Sequence, residues 1–130
     1  MKKKIFIIED DANILFSLQA KLSVSGFEVE AHSGNADAQE IIEKIKNNKS
    51  DFVILDIILP KLNGFDLIKK INSEKELQET NIFVFTNMSD KESMDNKETL
   101  GLKYYFIKDD FSIDDFVEKI KRIINNLEKI

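Results

Sequence analysis

Apolar residues follow two alternating rhythms along this chain. Ile5 to Ile8, Phe52 to Leu55, Ile82 to Phe85 and Tyr104 to Ile107 are uninterrupted apolar runs, rich in β-branched and aromatic types. Short runs of that make-up predict strands covered on both faces. From Phe27 to Ala31 the rhythm becomes strict alternation, with Phe27, Val29 and Ala31 on one side and Glu28 and Glu30 on the other. One wet face predicts an edge strand.

Between these runs the spacing is helical. Ile14, Leu15, Leu18 and Leu22 form one stripe, and Ala38, Ile41, Ile42 and Ile45 form a second. A third segment carries Ile113, Phe116, Val117, Ile120, Ile124 and Leu127. It follows Ser112, with Asp115 three residues on, a near relative of the capping box. Shorter helices are predicted from about Phe65 to Asn72 and from about Asp90 to Leu100. The second of these has Met94 and Leu100 as its only apolar anchors, so it is predicted to be loosely held. Strand then helix, five times over, without a long linker, internal repeat or low-complexity tract, predicts a parallel sheet covered on both faces. The fold class is α/β, flavodoxin-like and doubly wound. Strand order 2-1-3-4-5 puts the alternating strand at an edge and the most apolar strands inside, with ligands beyond the carboxyl ends of strands 1 and 3.

Composition narrows the function classes. The 130 residues suit one domain over 1–130, and 42% hydrophobic with 33% charged residues is the balance of a soluble folded chain. A formal net charge of −5 offers duplex nucleic acid no general attraction, so direct DNA binding is not expected. The absence of cysteine excludes disulfides and thiolate metal sites and is compatible with a reducing cytosol; a cytoplasmic location is the expectation. Lys2, Lys3 and Lys4 lead into an apolar run too short for a signal peptide, ending in Glu9, Asp10 and Asp11. Three lysines without a lipid anchor also make no membrane patch.

Candidate chemistry gathers at the strand ends: Glu9 and Asp10 after strand 1, Asp56 after strand 3, Thr86 after strand 4 and Lys108 after strand 5. Three carboxylates brought together repel one another unless a cation sits among them. Mg²⁺, with Mn²⁺ as a substitute, fits a site of oxygen ligands that offers no His or Cys. A carboxylate beside such a metal can attack an activated phosphoryl group, while the metal and a lysine neutralise the equatorial oxygens. Lys108 and the Thr86 hydroxyl are placed for that. Asp11 is the better candidate for a pure cap of the first helix, which leaves Asp10 to the metal. Taken alone, Lys108 reads as a surface lysine paired with Asp109, and its strand-end position argues against that. Tyr105 taken alone reads as half-buried packing with its hydroxyl in water. His32, the sole histidine, reads as structural or neutral.

The stretch Asp56-Ile57-Ile58-Leu59-Pro60-Lys61-Leu62-Asn63-Gly64 resembles the D-x-x-[LM]-P-x-x-x-G signature of the receiver domains of bacterial response regulators, the CheY-like family. Ile5-Phe6-Ile7-Ile8-Glu9-Asp10-Asp11 is similar to that family's acidic first-strand motif, and the likeness runs to the last helix. The resemblance implies Asp56 as phosphoacceptor, Glu9 and Asp10 as the acidic pair, and the Ile58 backbone carbonyl as the remaining protein ligand of the metal. It further implies Thr86 as the switch hydroxyl, Lys108 as the phosphoryl-contacting lysine, and Tyr105 as the aromatic switch that follows Thr86. The implied partners are a sensor histidine kinase or histidine phosphotransfer protein, and an output protein at the face of helix 4, strand 5 and helix 5. The implied assembly is a monomer or a phosphorylation-dependent homodimer.

Two positions depart from the family. Asp109 and Asp110 follow Lys108 where the family has Pro, and Asn87 follows Thr86 where Ala is common. The two added acids either weaken binding of an anionic phosphodonor or cap the final helix, and capping is the favoured reading. Other functions fit less well. A flavin carrier of the same fold needs a phosphate loop after strand 1, where this chain has Glu9-Asp10-Asp11-Ala12-Asn13. An aspartate-based phosphatase needs a second Asp two residues after the first, and Ile58 stands there. A degenerate receiver acting as a phosphorylation-independent interaction module is the strongest alternative, although such domains usually lose an acid, the Thr or the Lys.

Overall fold

In the computed structural model, residues 2–128 are described. Five strands and five α-helices alternate in the order β1 (Lys4–Ile8), α1 (Ala12–Val24), β2 (Glu28–His32), α2 (Ala38–Asn48), β3 (Phe52–Leu55), α3 (Gly64–Ser73), β4 (Asn81–Thr86), α4 (Lys91–Thr99), β5 (Tyr104–Ile107) and α5 (Ile113–Leu127). Short 3₁₀ turns occupy Lys75–Leu77 and Lys108–Asp110. All strands pair in parallel, in the order β2-β1-β3-β4-β5. The fold is α/β, flavodoxin-like and doubly wound.

The two-residue period of a strand sorts each apolar run between the two faces of the sheet. Phe6, Ile8, Val53, Leu55 and Val84 join Ile41, Ile42 and Ile45 of α2 and Leu67, Ile68 and Ile71 of α3 on one face. Ile5, Ile7, Phe52, Ile54, Phe83 and Phe85 join Leu15, Leu18 and Leu22 of α1 and Phe116, Val117, Ile120 and Ile124 of α5 on the other. Continuous apolar runs are thus what a sheet covered on both sides requires. The rings of Phe85 and Phe116 stack with centroids 3.8 Å apart, which seats α5 on the sheet.

Every α-helix begins at a side-chain cap: Asp11 for α1, Asp37 for α2, Asn63 for α3, Asp90 for α4 and Ser112 for α5. Each gives a hydrogen-bond acceptor to backbone N–H groups that the first turn leaves unpaired. Asp11 is therefore the cap of the first helix. The favoured reading of Asp109 and Asp110 as caps of the last helix is corrected, because Ser112 accepts the Asp115 N–H while both acids lie one turn earlier in the 3₁₀ turn. Two strand expectations also shift. β2 starts at Glu28 rather than Phe27, since the Phe27 N–H is drawn back to the Leu22 carbonyl around Gly26, whose φ of 101° suits only glycine. In β5 only Phe106 is buried, because the edge position that the order 2-1-3-4-5 gives this strand leaves its other residues partly exposed. The fourth helix buries a single residue, Ser93, with Met94 and Leu100 half-exposed.

Candidate functional site

The strand ends are carried past the sheet by two further backbone hydrogen bonds. The Glu9 N–H donates to the His32 carbonyl and the Asp56 N–H to the Ile8 carbonyl, each at 3.0 Å. These bonds bring the first residue beyond β1 beside the first residue beyond β3. The loop after Asp56 then folds tightly back: Ile58 bridges Asn63, and the Gly64 N–H donates to the Ile57 carbonyl at 2.8 Å. A Cβ on Gly64 would lie 2.6 Å from the Ile57 Cα and 2.9 Å from the Asp56 carbonyl oxygen. Both are backbone atoms that cannot rotate away, which is the physical reason for glycine eight residues after Asp56.

Carboxylate oxygens of Glu9, Asp10 and Asp56 lie within 4.8 Å of one another. Glu9 is only 2% exposed and Asp56 only 6%, whereas Asp10 faces solvent. Lys108 reaches into this group. Its Nζ donates to Asp56 Oδ2 at 2.6 Å and lies 2.7 Å from Glu9 Oε1. Its partners are thus the two buried acids and not Asp109, in keeping with its strand-end position. Asp56 Oδ1 accepts the Ile58 N–H at 3.3 Å, and Glu9 Oε2 accepts the Asp11 N–H at 3.1 Å.

Burial raises the Glu9 pKa from 4.5 to about 6, with the neighbouring charge of Asp56 adding to the rise and the bonds from Lys108 and the Asp11 N–H opposing it. Burial alone would lower the Lys108 pKa, but its hydrogen bonds to Asp56 and Glu9 outweigh that and raise it. One ammonium among three carboxylates leaves an excess of negative charge. The donor set is all oxygen, two of the acids are buried and close, and no imidazole or thiolate competes; this chemistry fits a hard divalent cation.

Thr86 is the last residue of β4 and fully buried. Its Oγ1 accepts the Met88 N–H at 3.4 Å, a long contact that ties the hydroxyl loosely to the following loop. Tyr105 is half-buried, its ring nearly parallel to Phe65 with centroids 6.5 Å apart. Its hydroxyl donates to the Met88 carbonyl, which corrects the lone-residue reading of a hydroxyl in water. Burial, with Asp90 and Asp56 adding to it, pushes its pKa up to about 12. Met88 is thus gripped through both backbone groups, its N–H by Thr86 and its carbonyl by Tyr105. Ile58 is 57% exposed at the cleft mouth.

The open cleft above the acids, about 360 Å³, is lined by Glu9, Asp10, Asp11, Asp56, Ile58, Asn87 and Lys108. Asn87 was visible in the sequence only as a departure after Thr86, with no role attached. In the structure its Oδ1 accepts the Asp109 N–H at 2.9 Å, which joins the two departing positions. The signal was present: proline at 109 would have no N–H to give. All peptide bonds among the described residues are trans. His32, read as structural or neutral, accepts the Gly34 N–H through Nδ1 and stacks on Phe6, and it does not line the cleft.

The family model described as "Response regulator receiver domain" matches residues 5–121. Among curated proteins, the transcriptional regulatory protein CrdR of Helicobacter pylori is 31% identical over 97% of this chain and 57% of its own length. The transcriptional regulatory protein PdtaR of Mycobacterium tuberculosis is 29% identical over 98% of this chain and 60% of its own. The chain therefore spans little more than half the length of these relatives. Among solved structures, a CheY-like response regulator receiver domain protein from Methanospirillum hungatei superposes with a TM-score of 0.84 at 29% identity, covering 99% of this chain and 98% of that one. A two-component response regulator from Clostridium difficile gives 0.81 at 27% identity, covering 98% and 100%.

Proposed function

The chain belongs to the response regulator receiver family of two-component signalling, and from that premise we propose that Asp56 is its phosphoacceptor. The observation that carries this reading is the setting of Asp56: buried at a strand end, held by Lys108 and the Ile58 N–H, and beside Glu9 and Asp10 at the floor of an open cleft.

The reaction is displacement at phosphorus. A carboxylate oxygen of Asp56 forms the new P–O bond as the P–N bond to a donor phosphohistidine breaks, and the imidazole leaves with the bonding pair. The donor is a sensor histidine kinase or a histidine phosphotransfer protein. Glu9, Asp10, Asp56 and the Ile58 carbonyl would hold Mg²⁺, or Mn²⁺ in its place, and the bound ion would offset negative charge of the acids and the phosphoryl oxygens. Lys108 supplies the remaining positive charge. It already lies between Asp56 and Glu9, so a small movement of its ammonium toward the phosphoryl oxygens preserves the contact with Asp56.

Thr86 and Tyr105 carry the consequence outward. A phosphoryl group on Asp56 offers the Thr86 O–H an acceptor, and a hydroxyl that turns to donate there carries Oγ1 off the long contact in which it accepts the Met88 N–H. Release of that contact leaves Met88 held by Tyr105 alone, so the loop before α4 and the ring of Tyr105 shift together. The surface of α4, β5 and α5 then changes, and the output is the binding of a protein there, by a monomer or a phosphorylation-dependent homodimer. This domain does not itself contact DNA in the proposal, and it acts in the cytoplasm.

Treatment of the protein with Mg²⁺ and acetyl phosphate is expected to add one phosphoryl mass, detected by intact mass spectrometry, and Asp56→Ala is expected to abolish it. Absence of the adduct in the unaltered chain, or its persistence in the variant, overturns the assignment. The first result would leave a phosphorylation-independent interaction module.

A further inference from the structure

The acids at the cleft floor are acceptors, so a bound phosphoryl group must find its donors elsewhere. Lys108 Nζ and the Ile58 N–H are two candidates, and both now serve Asp56. Asn87 lines the same cleft from the opposite loop. Its Oδ1 is committed to the Asp109 N–H at 2.9 Å, and an N–H can be met only by the oxygen of a side-chain amide. That bond fixes which way the amide is turned. The NH₂ group is left uncommitted, and no acceptor for it is found among the described residues.

We infer that Asn87 is a phosphoryl-binding residue, its amide pinned by the Asp109 backbone so that Nδ2 donates to an oxygen of the group carried by Asp56. The inference rests on the phosphoacceptor reading and extends it. Asn87 and Asp109 work as a pair, one supplying the acceptor and the other the N–H that proline could not supply. The pair also ties the loop after β4 to the neighbouring loop after β5, so the amide is held in one orientation.

Beryllofluoride with Mg²⁺ is a suitable probe, because it makes a reversible mimic of the phosphoryl group on the aspartate; one receiver similar in fold is described as activated by BeF₃. Titration followed by NMR gives the affinity. Asn87→Ala is expected to weaken it roughly tenfold, the scale of one hydrogen bond to a charged group. Asn87→Asp keeps an acceptor for the Asp109 N–H but turns the donor into an anion, so it is expected to weaken binding further. In the unaltered chain the Asn87 side-chain NH₂ signals should move on binding, and Asp109 N–H exchange should be slow and become fast in Asn87→Ala.

Equal affinity of Asn87→Ala and the unaltered chain overturns the inference while leaving Asp56 as phosphoacceptor. Unaltered affinity in Asn87→Asp, or unmoved Asn87 NH₂ signals, overturns the donor role as well. Failure of the unaltered chain to bind beryllofluoride at all removes both readings together.

Discussion

Glu9 carries an electrostatic cost in the site. Its carboxyl is buried, shares Lys108 with Asp56, and has its pKa raised from 4.5 to about 6. A raised acid pKa means that the folded state favours the protonated form. The stabilisation is fully present below pH 4.5, declines as pH rises through about 6, and is absent above it. The shift corresponds to a penalty of about 2 kcal/mol at neutral pH in the metal-free protein. Glu9→Gln removes the charge while keeping an acceptor for the Asp11 N–H. It is expected to raise the melting temperature in EDTA at pH 7.5 and to make little difference at pH 4.5. Equal melting curves at pH 7.5 would show that Lys108 already compensates Glu9 in full.

Among the helices, α4 stands apart in how it is held. It buries only Ser93, while α1, α2, α3 and α5 each bury three or more residues. Few apolar contacts mean a low free energy of local opening. Backbone amides of α4 are therefore expected to exchange with deuterium before those of α1 and α5 in the same sample. Exchange of α4 as slow as α5 would remove it as the element that a switch could move. This weakness was legible in the sequence, since Met94 and Leu100 were the sole apolar anchors between Asp90 and Leu100. The strands and the other helices were legible for the opposite reason: their apolar positions recur at the period of the element. Local hydrogen bonds set what periodicity could not. Phe27 left the edge strand because of the turn at Gly26, and Ser112, rather than Asp109 or Asp110, caps α5. At the site, the strand ends told which acids meet, because a parallel sheet gathers them whatever their distance in sequence. The bond between Asn87 and the Asp109 backbone lay outside that reasoning, since it depends on the path of two loops and on a backbone donor that no side-chain pattern announces.

For the whole molecule, the five-stranded sheet brings Glu9, Asp10 and Asp56 together at one end of the strands, and a metal bound there would couple to pH and stability. A ligand that binds only the folded state adds RT ln(1 + [L]/Kd), about 2.7 kcal/mol at a hundredfold excess over Kd, or about 10 °C in melting temperature for a chain of this size. Mg²⁺ would need Glu9, Asp10 and Asp56 ionised, so its contribution grows as pH rises, whereas the contribution of protonated Glu9 to the metal-free protein shrinks over the same range. The two trends have opposite sign. The gap between melting temperatures in Mg²⁺ and in EDTA is thus expected to be small at pH 5 and to widen toward pH 7.5. In Glu9→Gln the gap should be reduced at pH 7.5, because one charged ligand is lost and the metal-free protein is already relieved. Differential scanning fluorimetry of both proteins across this range measures it directly. A gap independent of pH, or coincident curves in Mg²⁺ and EDTA, would show that the acidic cluster holds no divalent cation and that its charge is balanced by Lys108 alone.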